Sequence, residues 1–525
     1  MGGNLESKEG LFYDIGSVIA IVYVFVILII HFKIFPIFID IYYHLAVMEG
    51  YNLAGGITTN AYWEFAPYGR PQLYPPLLHI LMLLLLKCGL SLTFIARFTS
   101  FIMFPLTLLT TWFVARSVFN KRTAFFSVLI LAGAISFFWH ISVLSAAALA
   151  QILGLLAFVS VEKDLKFTSP LLITLMLYSH IAIPYFYFVA FLIYGIVRRE
   201  KRKIIFSSLA VAVILYLPWL IHTVVNIRFI TPRNPDISGF VFREVSGNLW
   251  LWIMGLGGAI FSLFKKGKYL FPLFLLIALL PITINYPVRF WEVHSVIPLA
   301  FLSGIFADSF VNLLKNNSVR KLALASFFIV LLITPKFTIG TGILNVSLNH
   351  SFELVSLFNY RMLVFRFPSI NKKPPIVDKK SGRIFINGSR ILSKNNIEFA
   401  QLLTKKLPEG STIYTPDGVF GDFLFAFSGF PVSSGMLKEV KPYALPSQAD
   451  DSYLVINGDV SSLIYPLNNT YKRCFAAYNK TVFRNTKPVE KVFPQKPVIS
   501  NVVCFILLGV SAIIILYDFF KRRRE

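Results

Sequence analysis

Asp40 stands in the stretch Phe38-Ile39-Asp40-Ile41-Tyr42-Tyr43-His44-Leu45, shortly after the apolar run Val18–Ile30. An acid at membrane depth costs about 2.5–3.5 kcal/mol on insertion scales, so a carboxylate kept there marks a functional position. It can accept a proton from a hydroxyl or help hold a divalent cation. The plainer role is a helix N-cap. His44 follows at i+4 and shares a helical face with Asp40, as a substrate contact or a structural hydrogen bonder. Arg289 lies in the brief loop Asn285-Tyr286-Pro287-Val288-Arg289-Phe290-Trp291 between two apolar runs. A guanidinium there suits two-pronged recognition of a phosphate, against the alternative of snorkelling to lipid headgroups. Arg228, Arg233 and Arg243 share an earlier loop, and Arg228 is a further candidate for the phosphate. His180 follows a short apolar run and either contacts the phosphate or caps a helix.

A second group begins at Trp63, in the sequence WEFAPYGRPQLYPP. Trp63, Tyr68 and Tyr74 can stack on flat ligand faces or sit in an interfacial aromatic belt. Pro71, Pro75 and Pro76 stiffen the chain leading into 77–90. Glu64 and Arg70 are close enough in sequence to pair. Trp63, Glu64, Arg70, Tyr74 and His44 form the candidate substrate-binding set, with Asp40 as the reactive group.

The elements that must hold these residues are membrane spans. The chain has 525 residues, of which 56% are hydrophobic and only 14% charged. Soluble domains carry about 25% charged residues. The net charge of +24 does not point to nucleic acid. Its basic residues fall in short runs between apolar stretches, at Asn120–Arg122, Arg198–Lys203, Lys265–Lys268, Lys315–Lys321 and Lys521–Arg524, the positive-inside pattern. Spans are expected at about 14–32, 96–118, 123–139, 146–161, 168–180, 183–197, 203–225, 248–264, 269–284, 294–314, 321–338 and 499–517. With twelve spans and both termini cytoplasmic, every basic run lies inside. A full crossing by 74–90 would move them outside, so that stretch reads as a membrane-edge helix in a large first external loop, 33–95. Cys88, Cys474 and Cys504 form neither a metal motif nor a disulfide framework.

The stretch 341–498 is more polar and reads as an extracytoplasmic α/β domain. Ile397–Leu407 has helical periodicity, Ser411–Thr415 and Ser452–Ile456 read as strands, and Cys474–Arg484 as a hairpin turning near Tyr478-Asn479-Lys480. Sequons at Asn345, Asn349, Asn387, Asn468 and Asn479 fit that placement, whereas one at Asn316 falls inside. The segment 499–525 is a final span with a basic tail. The spans are nearly free of ionisable groups, which favours chemistry at the outer face over a transport path.

Asp40-Ile41-Tyr42-Tyr43-His44, Gly69-Arg70-Pro71, Tyr74-Pro75-Pro76, Ser179-His180 and Arg289-Phe290, in this order and topology, resemble the C-type (GT-C) integral-membrane glycosyltransferases. The resemblance covers about 10–340 and is nearest to archaeal relatives of the oligosaccharyltransferase catalytic subunit. It implies a GT-C-like helical fold and a polyprenyl-phosphate-linked sugar donor, used at the outer face with inversion. It also implies that Asp40 is the first-loop catalytic or metal-binding acid and Arg289 the donor-phosphate arginine. Two family features are missing. The next external loop, Trp139–Ser145, has no carboxylate where the family has a second acidic motif. The Trp-Trp-Asp-Tyr-Gly acceptor motif is absent, and Tyr414-Thr415-Pro416-Asp417-Gly418 takes its place. A lone acid is a poor Mg or Mn site, so no cofactor is expected. The expected function is therefore transfer of a sugar to a lipid-linked glycan or a protein acceptor. The alternatives are a diverged metal-dependent oligosaccharyltransferase and a lipid-linked sugar transporter or flippase.

Overall fold

The computed structural model describes residues 2–30, 32–35, 37–231, 249–313, 337–341, 344–348, 392–415, 417–437, 439–447, 450–457 and 471–522. Helices dominate up to residue 313. α1 (Gly2–Ile30) leads into α2 (Asp40–Ala54), α3 (Leu77–Lys87) and α4 (Leu92–Val118). Then come α5 (Lys121–Ala132), α6 (Ile135–Val143), α7 (Ser145–Glu162), α8 (Thr168–Leu177), α9 (Ile183–Val197) and α10 (Arg202–Val225). α11 (Leu249–Lys265), α12 (Leu270–Leu279), the short α13 (Ile282–Asn285) and α14 (Pro287–Arg289), a π-turn at Phe290–His294, and α15 (Val296–Leu313) follow. Seven described helical stretches are long and apolar enough to cross a membrane: Gly10–Ile30, Leu92–Val118, Ser145–Glu162, Arg199–Val225, Gly267–Ile284, Val296–Leu313 and Asn501–Lys521. The protein is a membrane protein.

Of the expected spans, 123–139 and 168–180 form shorter helices than expected, whereas 183–197 and 248–264 are matched by α9 and α11, of 15 and 17 residues. The first is broken at Gly133-Ala134 into a 12-residue and a 9-residue helix. Twelve residues rise about 18 Å, well under the roughly 30 Å of a hydrocarbon core. α3, at 11 residues, is likewise too short to cross fully. The expected span 321–338 lies almost wholly outside the described residues. Close helix contact is built on small residues. A Cβ on Gly258 would fall 1.8 Å from the Leu302 carbonyl oxygen, so only glycine lets α11 lie this close to α15.

Helix ends near the basic runs are tied together. Asp14 of α1 pairs with Arg116 and Lys121 at 2.8 and 2.9 Å. Asp308 of α15 faces Arg122 and Lys265 at 3.5 and 3.6 Å, and Asp518 accepts from Thr168. Asp40, His180 and Arg289 come from the opposite helix ends, so the bundle has a basic end and an Asp40 end.

The C-terminal region sits on the Asp40 end. The hairpin β4 (Phe337–Thr341) and β5 (Leu344–Leu348) precedes it. α16 (Lys394–Lys406) and α17 (Gly418–Ser428) pack beside a four-stranded sheet of β6 (Ile413–Tyr414), β7 (Tyr453–Asn457), β8 (Tyr471–Ala477) and β9 (Lys480–Asn485). The order is β6-β7-β9-β8, with β6 and β7 parallel and the other pairs antiparallel. The hairpin turns at Tyr478 and Asn479, both at positive φ, and Asn479 is exposed. Asn345 lies in β5; Asn316, Asn349, Asn387 and Asn468 are outside the described residues. α18 (Asn501–Arg522) returns along the bundle.

α17 was not apparent from the sequence. Asp417 caps it by accepting from the Val419 and Phe420 amides, and Gly429 ends it at φ 75. Its phenylalanine face packs on α2, with the Tyr42 and Phe423 rings 5.9 Å apart. The sheet region is also stitched to the loop between α2 and α3. Ala66 donates to the Val432 carbonyl, Val432 donates to that of Trp63 (both 2.9 Å), and Tyr443 donates to that of Gly69 at 3.0 Å. A short strand at Gly56-Ile57 pairs with Ile499-Ser500, just before α18.

Candidate active site

Asp40 is the first residue of α2. The N-cap position is Ile39, and the Asp40 carboxylate makes no hydrogen bond among the described residues. It keeps some accessible surface, yet protein surrounds it. Burial raises its pKa above the ordinary carboxylate value; Arg289 opposes this and Glu439 adds to it. Arg289 ends α14, and its guanidinium lies 4.6 Å over the Tyr286 ring. Among the described residues it has no ion pair or hydrogen bond of its own. A partly open guanidinium with no carboxylate paired to it is a ready oxyanion site.

Three imidazoles and a tyrosine pack around this pair. His180 ends the turn after α8, and its Nδ1 accepts from the amides of Ala182 and Ile183 at 3.0 and 3.2 Å. The expected cap therefore exists. It also fixes the tautomer, because Nδ1 cannot carry a proton while accepting, so Nε2 carries it. Burial, with Arg289 and His44 nearby, lowers the His180 pKa to about 3, so it is a neutral N–H donor. His44 Nδ1 lies 3.0 Å from His79 Nε2, and burial lowers the His44 pKa to about 4. Tyr74 stands edge-on to both His44 and His180, with centroids 5.4 and 5.6 Å away, and feels the charges of Asp40, Arg289 and Glu439. Asp40, His44, Tyr74, His180 and Arg289 are thus brought together.

The other expected residues are elsewhere. Trp63, Glu64 and Arg70 are fully buried. Trp63 stacks on Phe425 of α17 at 5.8 Å. Arg70 donates to Glu64 and to the carbonyls of Leu437 and Val440, and Asp422 of α17 contacts Glu64. These residues form the joint between the α2–α3 loop and the C-terminal region, because an arginine shut away from water must find acceptors. Arg228 is exposed, lies over Phe229 at 5.0 Å, and is not among the charges acting on Asp40. Arg233 and Arg243 are outside the described residues.

Three residues at the site escaped the sequence reading. His294 is buried within reach of His180 and Arg289. His79 is another. The third is Glu439, which comes from the C-terminal region; its Oε1 accepts from the Tyr286 hydroxyl at 3.3 Å. No local pattern marks it. Among the described residues no group of three or more His, Cys, Asp or Glu is arranged to hold a metal ion. The Nδ1 atoms of His44 and His180 already have partners.

Neither a protein-family description nor a curated relative matches the sequence. Solved structures do match by shape. The archaeal oligosaccharyltransferase AglB from Archaeoglobus fulgidus, solved with an inhibitory peptide and a dolichol-phosphate, aligns at TM-score 0.52 and 11% identity. That alignment covers 85% of this chain and 69% of AglB. ArnT from Cupriavidus metallidurans, bound to undecaprenyl phosphate, aligns at TM-score 0.52 and 13% identity, over 91% of this chain and 99% of ArnT. Both are GT-C glycosyltransferases. This chain has the GT-C fold. At these identities the likeness carries the fold alone, and within the GT-C fold the chemistry has to be argued from the residues at the Asp40 end.

Proposed function

We propose that this chain is a membrane glycosyltransferase that moves a sugar from a polyprenyl-phosphate donor to a hydroxyl of a lipid-linked glycan or a protein, at the outer face. The observation that carries this reading is the open Arg289 guanidinium held within electrostatic reach of a buried Asp40 carboxylate. The binding of dolichol-phosphate by AglB and of undecaprenyl phosphate by ArnT supports the same lipid class here.

Asp40 takes the proton of the acceptor hydroxyl as its oxygen attacks the anomeric carbon. The bond from that carbon to the phosphate oxygen breaks, and its electron pair leaves on the polyprenyl phosphate. Arg289 stabilises that charge, and the Nε2–H of His180 is a second donor for it. One-step displacement inverts the anomeric centre. The raised pKa of Asp40 makes it a stronger base than a solvated carboxylate.

The test is transfer by purified protein in detergent from a panel of polyprenyl-phosphate monosaccharides. Transfer without a second compartment separates an enzyme from a flippase. Product formation that disappears in Asp40→Asn supports the reading, and full activity in that variant overturns it. Transfer unchanged in a chelator counts against the metal-dependent alternative.

A further inference from the structure

The C-terminal region supplies a carboxylate to the same group of residues. Glu439 sits in a segment whose backbone is fixed from both sides. Its carbonyl accepts from the Thr231 amide at 2.8 Å, and Lys441 donates to the Phe229 carbonyl at 2.7 Å. Val440 bridges to Ile230, and Arg70 grips the carbonyls of Leu437 and Val440. This end of the segment is therefore clamped between the end of α10 and the buried Arg70. The Glu439 side chain is half-buried and aims at the bundle: Oε1 receives the Tyr286 hydroxyl at 3.3 Å. Tyr286 carries Arg289 on its ring face at 4.6 Å. The second carboxylate oxygen has no hydrogen bond among the described residues.

Simple neutralisation of Arg289 does not account for this geometry, since no carboxylate lies within ion-pairing distance of that guanidinium among the described residues. The arrangement leaves an unfilled anion site with an acceptor oxygen beside it. In a glycosyl phosphate one bridging oxygen separates phosphorus from the anomeric carbon. A phosphate held on Arg289 therefore brings the linked sugar against whatever flanks Arg289 and Tyr286. Carboxylates bind sugar hydroxyls strongly because the acceptor is charged. We infer that Glu439 is a specificity residue that binds a hydroxyl of the donor sugar, and that the C-terminal region completes the active site by delivering it. This inference rests on the donor class proposed above.

Glu439 also predicts a penalty for the wrong ligand. Its charge lies near the phosphate site, so it disfavours a bare phosphate, and the hydroxyl contact repays that cost only when a sugar is attached. Binding of dolichyl phosphate and of dolichyl-phosphate monosaccharides to the purified full chain tests this. The wild type should prefer its best glycosylated form over dolichyl phosphate. In Glu439→Gln the affinity for dolichyl phosphate should rise roughly threefold, while the preference for the glycosylated form should drop roughly tenfold. The acid limb of the transfer rate should also move to lower pH, because one of the influences raising the Asp40 pKa is gone. Tyr286→Phe, which removes the bond that aims Glu439, should reproduce the lost preference more weakly. A role limited to folding would shift none of these ratios. Unchanged preference and pH limb in Glu439→Gln, with wild-type binding intact, overturn the inference alone. Failure of the wild type to bind any of these lipids removes both the inference and the reading beneath it.

Discussion

At the scale of single residues, the site is defined by charges left without ordinary partners. Among the described residues, the Asp40 carboxylate at the start of its helix makes no hydrogen bond, and Arg289 rests on a ring with no carboxylate paired to it. Such groups persist in a fold when a ligand completes them. Asp40→Asn should lower transfer by about 10²–10⁴-fold, the usual contribution of a positioned base, with normal expression and membrane insertion. The wild-type rate should fall with decreasing pH through an apparent pKa above that of free aspartate. The sign follows from burial, which favours the protonated carboxyl, and a protonated carboxyl cannot accept a proton. Arg289→Ala should weaken dolichyl phosphate binding roughly 10- to 100-fold, as expected for a lost charged hydrogen bond; titration of purified protein checks this. Asp40, Arg289 and His180 were legible in the sequence because ionisable groups are rare in apolar surroundings and stand out. Glu439 and His79 were not, because one lies in an ordinary polar stretch and the other in a leucine-rich helix.

At the scale of elements, the aromatic loop proved to be a joint. Trp63, Glu64 and Arg70 have the residue types of a binding loop, yet α17 covers them. Glu64 and Asp422 share one arginine in a dry interior, so both cannot be ionised cheaply. Burial and the Glu64 charge raise the Asp422 pKa well above its normal value, against a smaller opposing pull from Arg70. The unfolded chain releases the Asp422 proton near the ordinary carboxylate pKa of about 3.9, while the native chain keeps it. Stability contributed by this group is therefore present at low pH and falls as pH rises from that value toward the raised one. Asp422→Asn, which can still donate to Glu64, should keep the fold and flatten this dependence. Its melting temperature should match the wild type below about pH 4 and exceed it near pH 8. Arg70→Met, in contrast, leaves buried acids uncompensated and should cost about 3–5 kcal/mol, read as a lower melting temperature at both values. The location of the joint could not be inferred locally, because covering Glu64 requires a helix more than 350 residues away in the chain.

At the scale of the whole molecule, the helices order the charges into a basic end and an end that bears the site and the C-terminal sheet. On the positive-inside rule we propose that the basic end faces the cytoplasm. Cys474 and Cys88 are exposed and Cys504 is buried, which makes orientation measurable. A membrane-impermeant maleimide added to intact cells should label Cys474 in a Cys88→Ser variant, and labelling only after permeabilisation would reverse the topology. The sequence by itself determined the membrane class, the order of most helices, the hairpin at 474–484 and the acid and arginine at the helix ends. These follow from local hydropathy, turn residues and the cost of charge in an apolar medium, all of which act over short stretches. Only the tertiary structure decided that Asp40, Arg289, His180 and Tyr74 lie near one another, that Glu64 and Arg70 lock a joint, and that Glu439 reaches Tyr286 beside them. Those outcomes depend on the packing of α17 against α2 and on backbone pairing between distant segments, and nothing in local composition encodes which distant partner will exclude the water.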